Sequence, residues 1–314
     1  MHKNRHRSKE ITMNNKRTLG MLAVIIGDTI FGFSFLFSKV ILSMVSPSVM
    51  IAIRFLVAFL VLNLIVLVNK LLGERALFTF SLKGKPLKPI LLLAICQPCV
   101  YFIAESYGIK FTSSSFAGII IALIPITGIL MDVIILKTKV LKKQIVCAIL
   151  SVLGVALTTI GASDVSSSVI GLMFLIVAVL SGSFFYVLSK DAGKYYNPLE
   201  RTYVMFTVGM IVYMVPAILE TVKAPSPVVV AVSTPVFWGC ILYLAVISSV
   251  VAFMLLNFAS NHVSVTSATL IANLTTVISI FAGVVFLKES FTWMQIVGAV
   301  IILLSVTYGS LRTE

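Results

Sequence analysis

Long apolar runs, separated by short polar or charged turns, fill the chain from Leu19 almost to its end. A helix needs about 20 predominantly apolar residues to cross a bilayer, which is far longer than a typical strand. Ten runs approach or reach this length and predict an all-α integral membrane protein. The predicted spanning helices are residues 19–42, 48–68, 89–107, 115–136, 144–160, 169–189, 202–219, 236–258, 267–287 and 292–310.

Composition agrees with this pattern. The 314 residues are 59% hydrophobic and only 11% charged, whereas a soluble domain averages about 25% charged residues. The net charge of +13 arises from basic residues scattered over the loops and over a basic tail, residues 1–18. We therefore expect a lipid bilayer, and no nucleic acid, as the macromolecular surroundings.

Lysine and arginine in the loops predict how the helices are oriented, because loops on the cytoplasmic side are enriched in both residues. With the amino terminus inside, 19 of the 24 basic residues fall on the inner side and three on the outer side, and two lie in helices. The sequence thus predicts a multi-pass protein of the cell membrane with both termini in the cytoplasm.

An internal repeat divides the chain. Ser38-Lys39 recurs as Ser189-Lys190, and the Gln-Ile-Val sequence at 144–146 recurs at 295–297, both after 151 residues. A constant offset near half the chain length indicates duplication, here of a unit at 19–162 and a unit at 169–311. Since each unit has five helices, the second unit is inverted relative to the first, and such repeats place a shared site near the bilayer midplane.

Several motifs resemble the EamA-type members of the drug/metabolite transporter superfamily over nearly the whole chain after Arg17. They include the sequence FGFSF at 31–35, Arg54-Phe55, and FLKE at 286–289 followed by QIVGA at 295–299. The resemblance implies two five-helix repeats and the export or exchange of small metabolites, amino acids or toxic compounds. It also implies a central cavity lined mainly by the first, third, fourth, sixth, eighth and ninth helices.

Asp28 is the strongest candidate for a mechanistic residue. It lies about 14 Å along its helix in an apolar core about 30 Å thick, and Phe35 follows it on the same helical face. A carboxyl group in poorly hydrated surroundings takes up and releases protons nearer neutral pH than one in water. Asp28 is thus predicted to couple transport to protons or to bind a cationic group, unless it only bonds a neighbouring helix.

The other candidates lie closer to the membrane surfaces or are neutral. Lys39 and Asp132 lie near helix ends, where contact with water explains them. Arg54 can form an ion pair with Glu105 or contact an anionic substrate group, and Tyr101 shares a helical face with Glu105. Further cavity candidates are the aromatic Phe184 and the amide Asn273.

These residues favour a secondary transporter. The chain contains no GxxxxGK[ST] sequence for direct ATP hydrolysis, and no cluster of histidine and acidic residues of the kind that intramembrane enzymes use. We therefore expect no enzymatic activity, no cofactor and no metal; the partners are a small-molecule substrate and, by way of Asp28, protons. Export leads by family analogy; uptake or exchange of sugar phosphates or nucleotide sugars is the alternative, followed by a channel or an auxiliary subunit. The oligomeric state stays open.

Overall fold

The computed structural model describes residues 2–72, 80–127, 142–161, 165–263 and 265–310. All regular secondary structure within these ranges is helical. The helices, in chain order, are α1 (His2–Leu42), α2 (Pro47–Leu71), α3 (Leu87–Phe111), α4 (Ser114–Ile121), α5 (Lys142–Ile160), α6 (Val165–Ala192), α7 (Pro198–Lys223), α8 (Pro225–Val232), α9 (Pro235–Ala259), α10 (Val265–Leu287) and α11 (Trp293–Ser310).

Six of these helices contain an apolar stretch long enough to cross a membrane: α1, α2, α3, α6, α7 and α9. Shorter apolar stretches occupy the places of the fourth, fifth, ninth and tenth predicted spans, namely Ser114–Thr127, Ile145–Ile160, Ile271–Leu287 and Trp293–Tyr308. Most of the second half of the predicted fourth span, which includes Asp132, lies outside the described residues.

Three helix starts differ from the sequence-based boundaries by four residues or more, and α6, which begins at Val165 instead of residue 169, is one of them. Helix α1 begins at His2 and so continues through the basic tail. Helix α7 begins at Pro198 instead of residue 202. Asn197 accepts a hydrogen bond from the backbone amide of Glu200, and the Glu200 carboxylate accepts one from the Asn197 amide. This capping box satisfies amide groups that a helix start otherwise leaves unpaired, which explains the earlier start.

The outer surface is apolar and the polar groups are inside. Leu64, Ile211 and Leu304 are each about 60% exposed, whereas Asp28 and Arg54 are buried. An extensive exposed apolar surface is unfavourable in water and indicates contact with lipid. The arrangement is that of a protein embedded in a bilayer.

Packing between the helices joins the two halves of the chain throughout. The most extensive contacts pair α3 with α6, α5 with α11, α1 with α9, α1 with α10 and α2 with α7. Further contacts pair α3 with α7, α2 with α9, α4 with α10 and α4 with α6. The set of paired helices is unchanged when α1, α2, α3, α4 and α5 are exchanged with α6, α7, α9, α10 and α11, respectively. Two repeats related by a pseudo-twofold axis are expected to show this symmetry.

Both halves also carry an irregular segment at the same place. Helix α3 is π-helical from Ile95 to Val100 and has extended backbone angles at Gln97 (φ −141°, ψ 114°), next to Pro98. Helix α9 is π-helical from Tyr243 to Ala252, where the Ser249 hydroxyl donates to the Leu244 carbonyl at 2.8 Å. Such segments within helices are frequent at functional sites.

Candidate functional site

A central cavity lies between the two halves, with walls from α1, α3, α4 and the turn after it, α6, α9 and α10. These six helices correspond to the first, third, fourth, sixth, eighth and ninth predicted spans, which are the six that the family resemblance indicates. The cavity contains about 660 Å³ of empty space, open solvent included. Its wall combines carboxyl and amide groups with aromatic rings.

Most of the wall is built from equivalent positions of the two halves. Seven pairs of lining residues are separated by 151 residues, the offset of the sequence repeat. The pairs are Phe31 and Gly182, Ser34 and Phe185, Phe102 and Phe253, Glu105 and Leu256, Ile121 and Ala272, Ala122 and Asn273, and Ile124 and Thr275. The duplicated unit therefore supplies equivalent positions to both sides of the cavity, although the side chains at these positions differ.

Asp28 lies in this wall and is 2% exposed. Its backbone carbonyl accepts a hydrogen bond from the Thr275 hydroxyl at 3.0 Å, which links α1 to α10. One turn further along α1, Gly32 allows this close approach, because a Cβ atom there would lie 2.5 Å from the Cβ of Ile278. The Oδ2 atom of Asp28 has no hydrogen-bond partner among the described residues.

Glu105 and Tyr101 form a second polar group in the wall. The Tyr101 hydroxyl donates to Oε1 of Glu105 at 3.0 Å, and Glu105 is 5% exposed. Both residues follow the irregular segment of α3, within about two helical turns. The two side chains were predicted to share a helical face, and in the structure they are directly hydrogen-bonded.

Arg54 lies behind the wall and does not line the cavity. Its Nε donates to the Ser249 hydroxyl at 2.8 Å and its Nη2 to the Ser248 hydroxyl at 3.0 Å. Its guanidinium lies 4.4 Å from the centre of the Phe102 ring. Among described residues the ion pairs are Lys85–Glu200 and Lys194–Asp191, so the predicted pair with Glu105 is not formed within 4.0 Å.

The remaining candidates divide in the same way. Phe35 and Asn273 line the cavity, and the Asn273 amide donates to the Thr307 hydroxyl at 3.0 Å. Phe184 is only partly buried and is not a lining residue, whereas its neighbour Phe185 is buried and lines the cavity. Five of the seven candidates are thus brought together in one cavity.

Sequence reasoning missed several polar residues. Gln97 lines the cavity and is 7% exposed. Arg201, which the boundaries placed in a loop, is fully buried and donates to the Ser189 carbonyl at 2.7 Å and the Asn257 carbonyl at 2.5 Å. The capping box that begins at Asn197 could have revealed the burial of Arg201 from the sequence, because it places Arg201 inside a helix.

Lys39 also has a structural partner. Its ammonium group donates to the Ile109 carbonyl at 2.8 Å and to the Thr112 carbonyl, and so satisfies the carboxyl-terminal end of α3. A cation at this end also complements the helix dipole. The predicted contact with water at the interface is therefore replaced, at least in part, by this helix cap.

A helical membrane-embedded fold with a polar cavity between two halves of matching packing is typical of polytopic membrane transporters. The comparisons with known proteins specify which kind. The model of the EamA-like transporter family matches residues 18–160 and again residues 169–310. The chain therefore belongs to the EamA-like transporter family.

Individual relatives agree with this assignment. The chain is 28% identical over 306 residues to the "Uncharacterized transporter YcxC" of Bacillus subtilis (strain 168), covering 96% of each chain. It is 22% identical to an "Uncharacterized transporter" of Archaeoglobus fulgidus, covering 88% of this chain and 94% of the relative. A solved crystal structure with 16% identity aligns with a TM-score of 0.58 over 91% of this chain and 95% of the other, which shows a shared fold.

Proposed function

We propose that this membrane transporter is a secondary active exporter of small metabolites, amino acids or drug-like compounds, with Asp28 as its coupling residue. The observation that carries the proposal is the position of the Asp28 carboxyl group, buried in the wall of a cavity to which both halves contribute. A carboxyl group there can exchange a proton with whichever side the cavity opens to. Export as the direction rests on the family.

The proposal includes the membrane arrangement. Ten spanning helices form two inverted repeats, residues 19–162 and 169–311, and both termini lie in the cytoplasm. The symmetric pairing of the helices and the matched lining positions support this arrangement. Exchanging the conformations of two such repeats moves the opening of a central site from one side of the membrane to the other.

Sugar phosphates and nucleotide sugars fit this cavity less well. Recognition of a phosphate group usually employs arginine or lysine, and the described lining residues include neither. Arg54, a candidate contact for an anionic substrate group on sequence grounds, lies behind the wall and donates to two serines there.

The test is solute-evoked proton movement in proteoliposomes containing the purified protein and a pH-sensitive dye. Amino acids, aromatic amines, nucleobases and sugar phosphates are added singly. We expect at least one compound to evoke saturable proton movement with the wild-type protein, and Asp28→Asn to abolish it. Asp191→Asn is the matched control, because it removes a surface-accessible carboxylate outside the cavity.

Unchanged proton movement in Asp28→Asn would refute the role of this residue. A response restricted to sugar phosphates would favour the alternative substrate class. Flux that does not saturate and shows no counterflow would indicate a channel.

A further inference from the structure

We propose that the central cavity selects small organic cations with a single positive charge and an aromatic or apolar body, and disfavours compounds that carry a carboxylate or phosphate. This inference rests on the transport function proposed above and assigns a substrate class to the same cavity. It narrows the range of substrates, because amino acids then bind less well than the corresponding amines.

The charges of the wall are the first step. Asp28 and Glu105 are lining residues, and no lysine, arginine or histidine occurs among the described residues that line the cavity. Arg54, whose guanidinium lies 4.4 Å from the centre of the Phe102 ring, interacts electrostatically with Glu105. When both acids are ionised and this cation balances one of them, the cavity retains about one negative charge. A buried charge without a partner is unfavourable, and a singly charged cation supplies that partner.

Hydrogen-bonding capacity leads to the same conclusion. Oδ2 of Asp28 and Oδ1 of Asn273 are acceptors without a partner among the described residues. An ammonium group offers three donors and no acceptor, so it matches these oxygen atoms. A carboxylate has only acceptors and needs donors in the wall.

Apart from the acids, five lining residues carry a side-chain donor, and four of them use it within the protein; the fifth is Gln97. The hydroxyl groups of Ser34, Tyr101 and Thr275 donate to the Phe31 carbonyl, the Glu105 carboxylate and the Asp28 carbonyl, respectively. The Asn273 amide donates to Thr307. The wall therefore favours a ligand that donates hydrogen bonds.

The apolar part of the ligand is matched by rings. Six aromatic side chains line the cavity, namely Phe31, Phe35, Tyr101, Phe102, Phe185 and Phe253. Phe253 is the shared neighbour of several of them, at 5.2 Å from Phe31 and 5.7 Å from Phe185 between ring centres. Aromatic rings bury an apolar body and also attract a cation placed over their faces.

Polarity is distributed unevenly between the two halves. The positions equivalent to Asp28 and Glu105 at the repeat offset are Val179 and Leu256, and Leu256 itself lines the cavity. A ligand charged at one end therefore places that end against α1 and α3. Its apolar end then faces α6 and α9.

Three compounds that share a phenyl ring and differ in charge test this inference. Phenethylamine is a cation, phenylalanine a zwitterion and 3-phenylpropionate an anion. Their binding to the purified full-length protein is measured by titration calorimetry in detergent. We expect phenethylamine to bind about tenfold or more tightly than phenylalanine, because the added carboxylate meets acids and engaged donors. We expect 3-phenylpropionate to bind more weakly still.

Variants identify the groups responsible. Asp28→Asn is expected to weaken phenethylamine binding by about tenfold or more and to reduce its preference over phenylalanine. Glu105→Gln provides an independent measurement if Asp28→Asn does not fold. Asp191→Asn makes the same chemical change at a surface-accessible site and is expected to leave binding unchanged.

Equal or tighter binding of phenylalanine or 3-phenylpropionate would overturn the inference. So would phenethylamine binding that is unchanged in both Asp28→Asn and Glu105→Gln, or the absence of binding by all three compounds. Proton-coupled transport restricted to anions would leave the proposed transport function standing and refute the substrate class. Selective amine binding without proton movement would refute proton coupling and support the substrate class.

Discussion

Gly118 permits close packing between α4 and α10, and replacing it with alanine tests whether that packing supports the fold. The Gly118 carbonyl accepts a hydrogen bond from the Thr276 hydroxyl at 2.9 Å. A Cβ atom on residue 118 would lie 2.7 Å from the Cβ of Ser279, and closer still to the Ser279 hydroxyl oxygen. Ser279 is fully buried, so its side chain has little room to move.

The expected cost follows from these contacts. Overpacking of a tight interface costs about 1–3 kcal/mol, and losing the hydrogen bond to Thr276 costs about 0.5–1.5 kcal/mol more. Alanine is about 1 kcal/mol better than glycine in a helix, which offsets part of the loss. Gly118→Ala is thus expected to lower the free energy of unfolding by about 1–3 kcal/mol.

Two further variants make the test specific. A Cβ atom on Gly239, within α9, would meet nothing within 4 Å, so Gly239→Ala is expected to be neutral or stabilising by up to about 1 kcal/mol. Adding Ser279→Gly to Gly118→Ala removes the clashing side chain. The double variant is expected to recover about 0.5–3 kcal/mol relative to the sum of the single changes.

Thermal unfolding of the purified variants in detergent, at one scan rate, provides the measurement. The expected order of apparent melting temperature places Gly239→Ala at or above the wild type and Gly118→Ala clearly below it. A Gly118→Ala protein as stable as Gly239→Ala would refute the argument. Strictly additive effects of the changes at positions 118 and 279 would refute it as well.

Two other substitutions have predictable consequences for stability. Arg201→Met leaves buried carbonyls of α6 and α9 without their donor, at a cost of about 1–3 kcal/mol each. It is therefore expected to reduce the yield of folded protein in size-exclusion chromatography. Lys190 is exposed, so an equal loss of folded protein in Lys190→Met would contradict this reasoning. The Glu289 carboxylate accepts hydrogen bonds from the first two amides of α4, at 2.9 and 3.1 Å, so Glu289→Ala is expected to lower the melting temperature through a loss of about 1–2 kcal/mol. Glu289→Gln, which keeps one acceptor, is expected to recover part of the loss, and a wild-type melting temperature for Glu289→Ala would contradict the role of this cap.

The sequence predicted the location of most helices, though not of the short α8, and the burial of Asp28, because both depend on local hydrophobicity. The six cavity helices followed from the family resemblance. Glu105 and Tyr101 were paired correctly because residues four apart share a helical face. Predicting these features requires only the geometry of a single helix, which can be inferred from a single apolar run.

Contacts between distant segments were beyond this reasoning. Arg54 pairs with Ser248 and Ser249, nearly 200 residues later in the chain, whereas Glu105, an acid expected near the same membrane surface, offered a simpler partner. Phe184 and Phe185 differ by about 100° around a helix, and without the packing of α6 the pattern does not determine which ring faces the cavity. Arg201 was assigned to a loop because counting basic residues for orientation treats each one near a helix end as solvated.

A symmetric scaffold and an asymmetric chemistry coexist in this cavity, and each has a separate consequence. Phe102 and Phe253 occupy equivalent positions and are both phenylalanine, so the two halves present similar apolar surfaces at that level. At the level of Glu105 the equivalent residue is Leu256, and the acid has no counterpart across the cavity. If the repeats exchange conformations, the apolar surfaces exchange roles while the acids stay on α1 and α3. A bound cation would then keep its orientation relative to these two helices throughout the cycle, while the cavity opens first to one side of the membrane and then to the other.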